Sequence, residues 1–118
     1  MLVWDEVEFI ECLEVVPTVG EYDVSHHFLV RKDGLSLELT VFQYDGDVLI
    51  SVYKDGIELP ILDMKITDCS GVRRVNDKRR EYLEFAPSKC FGSRYDGRSV
   101  IPFGVRLTVK PSISVKLF

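Results

Sequence analysis

A chain of 118 residues, 46% hydrophobic and 29% charged, has the size and mix of one folded domain, residues 1–118, with a core of its own. No apolar run reaches the roughly 18 residues of a membrane-spanning helix, and no basic-then-apolar leader opens it, so a cytoplasmic domain is expected. The net charge of −4 conceals a split: residues 1–59 hold 13 acids and three bases, and residues 60–118 hold six acids and 12 bases.

Residues 2–16, LVWDEVEFIECLEVV, carry five acids and no base. Val3, Val7, Ile10 and Leu13 recur at helical spacing, but Phe9, Cys12, Val15 and Val16 spoil the polar face. The β-rich neighbourhood favours a strand from about Val7 to Val16, ended by Pro17, with a short helix as the alternative. Pro17 to Asp23 reads as a loop.

Val24 to Leu62 contains Asp33-Gly34, Asp45-Gly46 and Asp55-Gly56 between alternating apolar runs, the sequence signal for tight hairpins. Counting outward from two-residue turns pairs Val30 with Leu37, Phe28 with Leu39 and His26 with Val41. The second turn pairs Val41 with Ile50 and Leu39 with Val52; the third pairs Val52 with Leu59 and Ile50 with Ile61. All three place one set on a common face: His26, Phe28, Val30, Leu37, Leu39, Val41, Ile50, Val52, Leu59 and Ile61. Pro60 cannot donate to a ladder, so this last strand lies at an edge or bulges before Leu62, Met64 and Ile66 resume the alternation.

Asp68 to Gly71 reads as a turn, and Val72 to Phe85 as a hairpin turning at Asn76-Asp77-Lys78, with a short helix as the alternative. Residues 86–104, rich in glycine, proline and serine, form the longest irregular stretch, the kind of segment that tends to carry function. Beyond it Val105, Leu107, Val109, Ile113, Val115 and Leu117 alternate inward, with Pro111 dividing two strands. The expected fold is all-β with at most one short helix: an antiparallel meander of about eight or nine strands forming a sandwich or partly open barrel.

Candidate chemistry is sparse. His26 and His27 are adjacent on a strand and point to opposite faces, so they do not share a metal. Cys12, Cys69 and Cys90 are an odd number without CxxC spacing, which argues against a disulfide framework and against zinc. No phosphate loop, nucleophile elbow or metalloprotease motif is present, so neither metal nor cofactor is expected. The concentrated polar features are the acids Glu8, Glu11 and Glu14, the basic cluster Arg73, Arg74, Arg79 and Arg80, and Arg94, Tyr95 and Arg98 in the long loop.

These residues suit a surface more than a catalytic centre. The leading expectation is a non-enzymatic protein–protein interaction module, inhibitor-like, immunity-like or regulatory, whose partner is another protein. The second is a β-barrel holding an anionic small ligand through Arg94 and Arg98, with residues 86–104 as a lid. The third is an undetected enzyme, which needs His26 or His27 beside Cys69 or Cys90. Overall acidity disfavours nucleic acid, and no membrane is expected; pairing of two copies through an edge strand is a further option.

Overall fold

The computed structural model describes residues 2–77, 79–87 and 100–118. Among them the chain forms a helix, α1 (Glu6–Leu13), and nine strands: β1 (Thr18–Val19), β2 (His26–Lys32), β3 (Leu35–Phe42), β4 (Asp47–Lys54), β5 (Leu62–Ile66), β6 (Gly71–Asn76), β7 (Glu81–Ala86), β8 (Val105–Thr108) and β9 (Ser114–Leu117). They make two antiparallel sheets, β1-β2-β3-β4-β5 and β6-β7-β8-β9, each in sequence order. The architecture is a sandwich and not a closed barrel, so the barrel alternative is set aside.

The turns explain which registers follow the counting. In the first hairpin both Asp33 (φ 55°) and Gly34 (φ 77°) are left-handed, as a type I′ turn requires. There the expected pairs are found: His26 with Val41, Phe28 with Leu39 and Val30 with Leu37.

At the second turn Gly46 is left-handed but Asp45 is not. The loop widens to four residues, and Val41 pairs with Val48 and Leu39 with Ile50. The slip of two residues preserves the faces, because side chains alternate with period two. Gly46 has a second reason to be glycine. Its carbonyl accepts from Cys69 N at 2.7 Å, and a Cβ there would lie 3.2 Å from Cys69 O.

At the third turn only Gly56 is left-handed, and the register departs by three residues. Val52 pairs with Leu62 and Ile50 with Met64, so Leu59 and Ile61 leave the core face and stand 77% and 58% exposed. Leu62, Met64 and Ile66 take their place, and β5 becomes an edge strand beyond Pro60. The other eight residues of the expected face are buried.

Residues 2–16 fold as the helical alternative, not as the strand. Asp5 accepts from Val7 N at 2.9 Å as N-cap, and Glu14 closes the helix in a left-handed conformation. The buried stripe is Phe9, Cys12 and Leu13, at i, i+3 and i+4, while Val3 and Val7 of the expected stripe are exposed. Asp5 with Glu8 three positions on is the helix-start signal that alternation obscured. The Phe9 ring lies 5.4 Å from Phe28 in the first sheet and 6.1 Å from Phe85 in the second, so α1 plugs the gap between the sheets.

In the second sheet the expected hairpin is found and not the helix, but its turn lies later than Asn76-Asp77-Lys78. Asn76 is still in β6, opposite Glu81, and residues 77–80 form the loop, closed by Asp77 N donating to Arg80 O. Val72, Leu83, Phe85, Val105 and Leu107 form its inner face. Leu117, expected inward, is 68% exposed at the free end of edge strand β9. Each fully buried large side chain contributes roughly 1.5–3 kcal/mol, so the two inner faces dominate the drive to fold.

Candidate functional site

The acidic helix and the basic hairpin meet. Arg74 and Glu81 share the inner parity of the second sheet, beyond its apolar residues, and α1 lies against them. Arg74 Nη1 is 2.5 Å from Glu11 Oε2, and the same guanidinium donates to Glu81. Lys110 Nζ sits 2.8 Å from Glu14 Oε1 and 2.8 Å from Glu81 Oε1. Burial pulls the Glu81 carboxyl upward in pKa, but hydrogen bonds from Lys110 and Arg74 outweigh it and leave the group below its ordinary value. Hydrogen bonds to Glu14 and Glu81 push Lys110 up to about 12. Arg74, Glu11 and Glu14 therefore fasten the helix to the second sheet.

The outer face of that sheet carries a charged row. Register places Arg73, Glu84, Arg106 and Lys116 side by side across β6–β9. Glu84 is 3% exposed; its Oε1 accepts from Arg73 Nε at 3.0 Å and Nη2 at 2.8 Å, and its Oε2 from Arg106 Nε at 3.1 Å. The Arg106 guanidinium also lies 5.1 Å from the Tyr82 ring centroid and 4.2 Å from that of Phe118. Glu81, Glu84, Arg106 and Lys110 are not among the residues singled out from the sequence: counting outward from Asp77 sets Glu81 opposite Arg73, whereas the four-residue loop 77–80 moves the register by three and brings Glu84 there.

Arg79 and Arg80 are exposed at the hairpin tip, where their backbone N–H groups donate to Asp77 Oδ1 at 2.9 and 3.0 Å. Those bonds hold the Asp77 carboxyl below its ordinary pKa. Arg94, Tyr95 and Arg98 lie outside the described residues, together with most of the expected lid. Glu8 stands in an open groove of about 610 Å³. Val3, Trp4 and Asp5 share its helix side, and Val72 to Asn76 of β6 form the opposite wall.

His26 is buried against the Trp4 ring, centroids 4.9 Å apart, with Nε2 3.6 Å from Glu6 Oε2 and Nδ1 unpartnered. His27 faces outward, its Nδ1 2.9 Å from Thr40 Oγ1. Cys69 donates its thiol to Gly71 O and Ala86 O, and burial pushes the Cys12 thiol up to about 11, aided by the Glu81 charge. Neither histidine hydrogen-bonds to a cysteine among the described residues, and no cluster of His, Cys, Asp or Glu there is arranged to hold a metal. No described helix is long and apolar enough to cross a membrane.

No protein-family model and no curated protein sequence matches this chain. Among solved structures, the chain is similar to one in the contact-dependent growth inhibition toxin–immunity protein complex from Klebsiella pneumoniae 342. The match has a TM-score of 0.76 and 20% identity, and covers 98% of this chain and 95% of that one. At that identity the likeness is one of fold.

Proposed function

We propose that this chain is a non-enzymatic protein-binding domain of the immunity type, which acts by covering a toxin and not by chemistry of its own. The observation that carries the proposal is the fold correspondence, nearly end to end in both chains, with a chain of a toxin–immunity protein complex. The charge split supports it, since a helix and first sheet rich in acids complement a basic target such as a nuclease. The immunity side of such a pair is favoured over the toxin side by the use of the described charges. Arg73, Arg74, Glu81, Glu84, Arg106 and Lys110 are engaged in pairs that hold the fold together.

The test is co-expression in a bacterial host with toxic polypeptides encoded beside this chain's gene. The chain alone is harmless and restores growth when the toxin is induced, and the purified pair elutes as one complex. Growth arrest by the chain itself would make it a toxin. Arrest that persists with separate elution of the two proteins would remove the immunity reading.

A further inference from the structure

The groove beside Glu8 has one wall made of backbone. Among the described residues strand β6 is an edge of the second sheet, bordered there by β7 alone. Val72 N donates away from β7, to Val3 O at 3.0 Å, and Asp77 N closes the hairpin onto Arg80 O at 3.0 Å. In an antiparallel ladder the inward-bonding residues alternate with outward-facing ones. The N–H and C=O groups of Arg74 and Asn76 therefore face out of the sheet, into the groove.

The chain itself begins to fill this edge and then stops. Val3 forms a parallel bridge with Gly71, and at Asp5 the backbone turns into α1. From Val72 to Asn76 the edge spans roughly 13 Å at about 3.3 Å per residue, room for four or five residues of an extended segment.

The side chains around this edge select the occupant. Asp5 and Glu8 make no ion pair with a described residue, while Arg74 opposite them is neutralised by Glu11 and Glu81. Arg73, which also lines the groove, is paired with Glu84, so the helix side presents the carboxylates of Asp5 and Glu8 beside the exposed Val3.

We propose that the free edge of β6 is the docking surface for an extended segment of a partner protein, which adds as a further strand and carries lysine or arginine toward Asp5 and Glu8. This rests on the protein-binding reading above and deepens it by naming the surface. Backbone hydrogen bonds to Arg74 and Asn76 fix the register, and the acidic wall selects basic over acidic strands.

The test uses the full ¹⁵N-labelled chain and two synthetic peptides, acetyl-Thr-Lys-Val-Lys-Val-Thr-amide and its glutamate counterpart. The lysine peptide should shift the Arg74 and Asn76 amide signals and slow their hydrogen exchange at least fivefold. The glutamate peptide should bind at least fivefold more weakly. Asn76→Pro removes one outward N–H without touching the ladder to β7, and should abolish binding while the melting temperature stays close to wild type. Glu8→Gln, which leaves the backbone intact, should weaken the lysine peptide severalfold.

Unchanged amides, equal binding of both peptides, or shifts centred on the β5 edge would each overturn the proposal. So would protection of Arg74 and Asn76 without peptide in a concentration-dependent dimer, because a second copy would then occupy the edge. Retained toxin protection in Asn76→Pro also overturns the docking surface while leaving the immunity reading intact. Peptide binding as described, with no toxin neutralised, supports the surface and removes the immunity reading instead.

Discussion

Arg74 and Glu11, 63 positions apart in the chain, meet with Nη1 2.5 Å from Oε2. The contact ties α1 to the second sheet and brings the acidic start of the chain onto its basic half. Its two ends differ in weight. Glu11 is half exposed, whereas the Glu81 carboxylate held by the same arginine is 10% exposed.

Arg74→Met should therefore destabilise the fold by about 1–3 kcal/mol, because it strips a partner from a largely buried carboxylate. Glu11→Gln should cost no more than about 0.5 kcal/mol, as for a surface pair. Urea denaturation of both variants measures the difference; equal costs would mean that Lys110 alone satisfies Glu81.

Glu84 tests the outer charged row. Glu84→Ala leaves Arg73 and Arg106 facing each other across a nearly dry site, and should cost on the order of 3 kcal/mol. Glu38→Ala, on the exposed face of the first sheet, should change stability by less than about 0.5 kcal/mol. Thermal unfolding of the two variants checks the contrast.

Acid should act through Glu81. Its folded pKa lies below the ordinary carboxylate value, which is about 4.3 in an unfolded chain. The stabilisation is present above that value and is lost as the pH falls through the folded pKa. The urea midpoint should drop below about pH 4, and Glu81→Gln should flatten that drop while lowering the midpoint at neutral pH.

Cys12 titrates in the opposite sense. With its thiol pushed from 9.0 to about 11, its contribution is complete below pH 9 and fades as the pH rises toward 11. At pH 8 the folded chain should shield Cys12 and Cys69 from thiol reagents, modification following the rate of opening. Peptide mapping after alkylation, with and without urea, reads this site by site.

The third hairpin register is tested by paired truncations. Leu59→Ser should be nearly neutral, and Leu39→Ala should cost about 2–5 kcal/mol. Had the strand after Asp55-Gly56 followed the two-residue register, both positions would be core and both substitutions costly.

Local chemistry wrote much of the first sheet into the sequence. Alternation and the Asp33-Gly34 turn determined that β2 and β3 pair as they do, that His26 points inward and His27 outward, and that the fold is antiparallel β. Alternation reads faces modulo two, so the two-residue slip at Gly46 left the core intact, whereas the three-residue departure at Gly56 expelled Leu59 and Ile61. Only the tertiary structure decided between those registers, because Leu62, Met64 and Ile66 compete for the same face and the winner depends on packing against the other sheet. It also decided that residues 6–13 are a helix, since the gap between the sheets needs Phe9 to reach Phe28 and Phe85 together. The charges were legible as clusters, but their partners were not. Arg74 with Glu11 and Lys110 with Glu14 are long-range pairs that exist only once α1 closes on the second sheet, and the same closure leaves Asp5 and Glu8 beside an open edge.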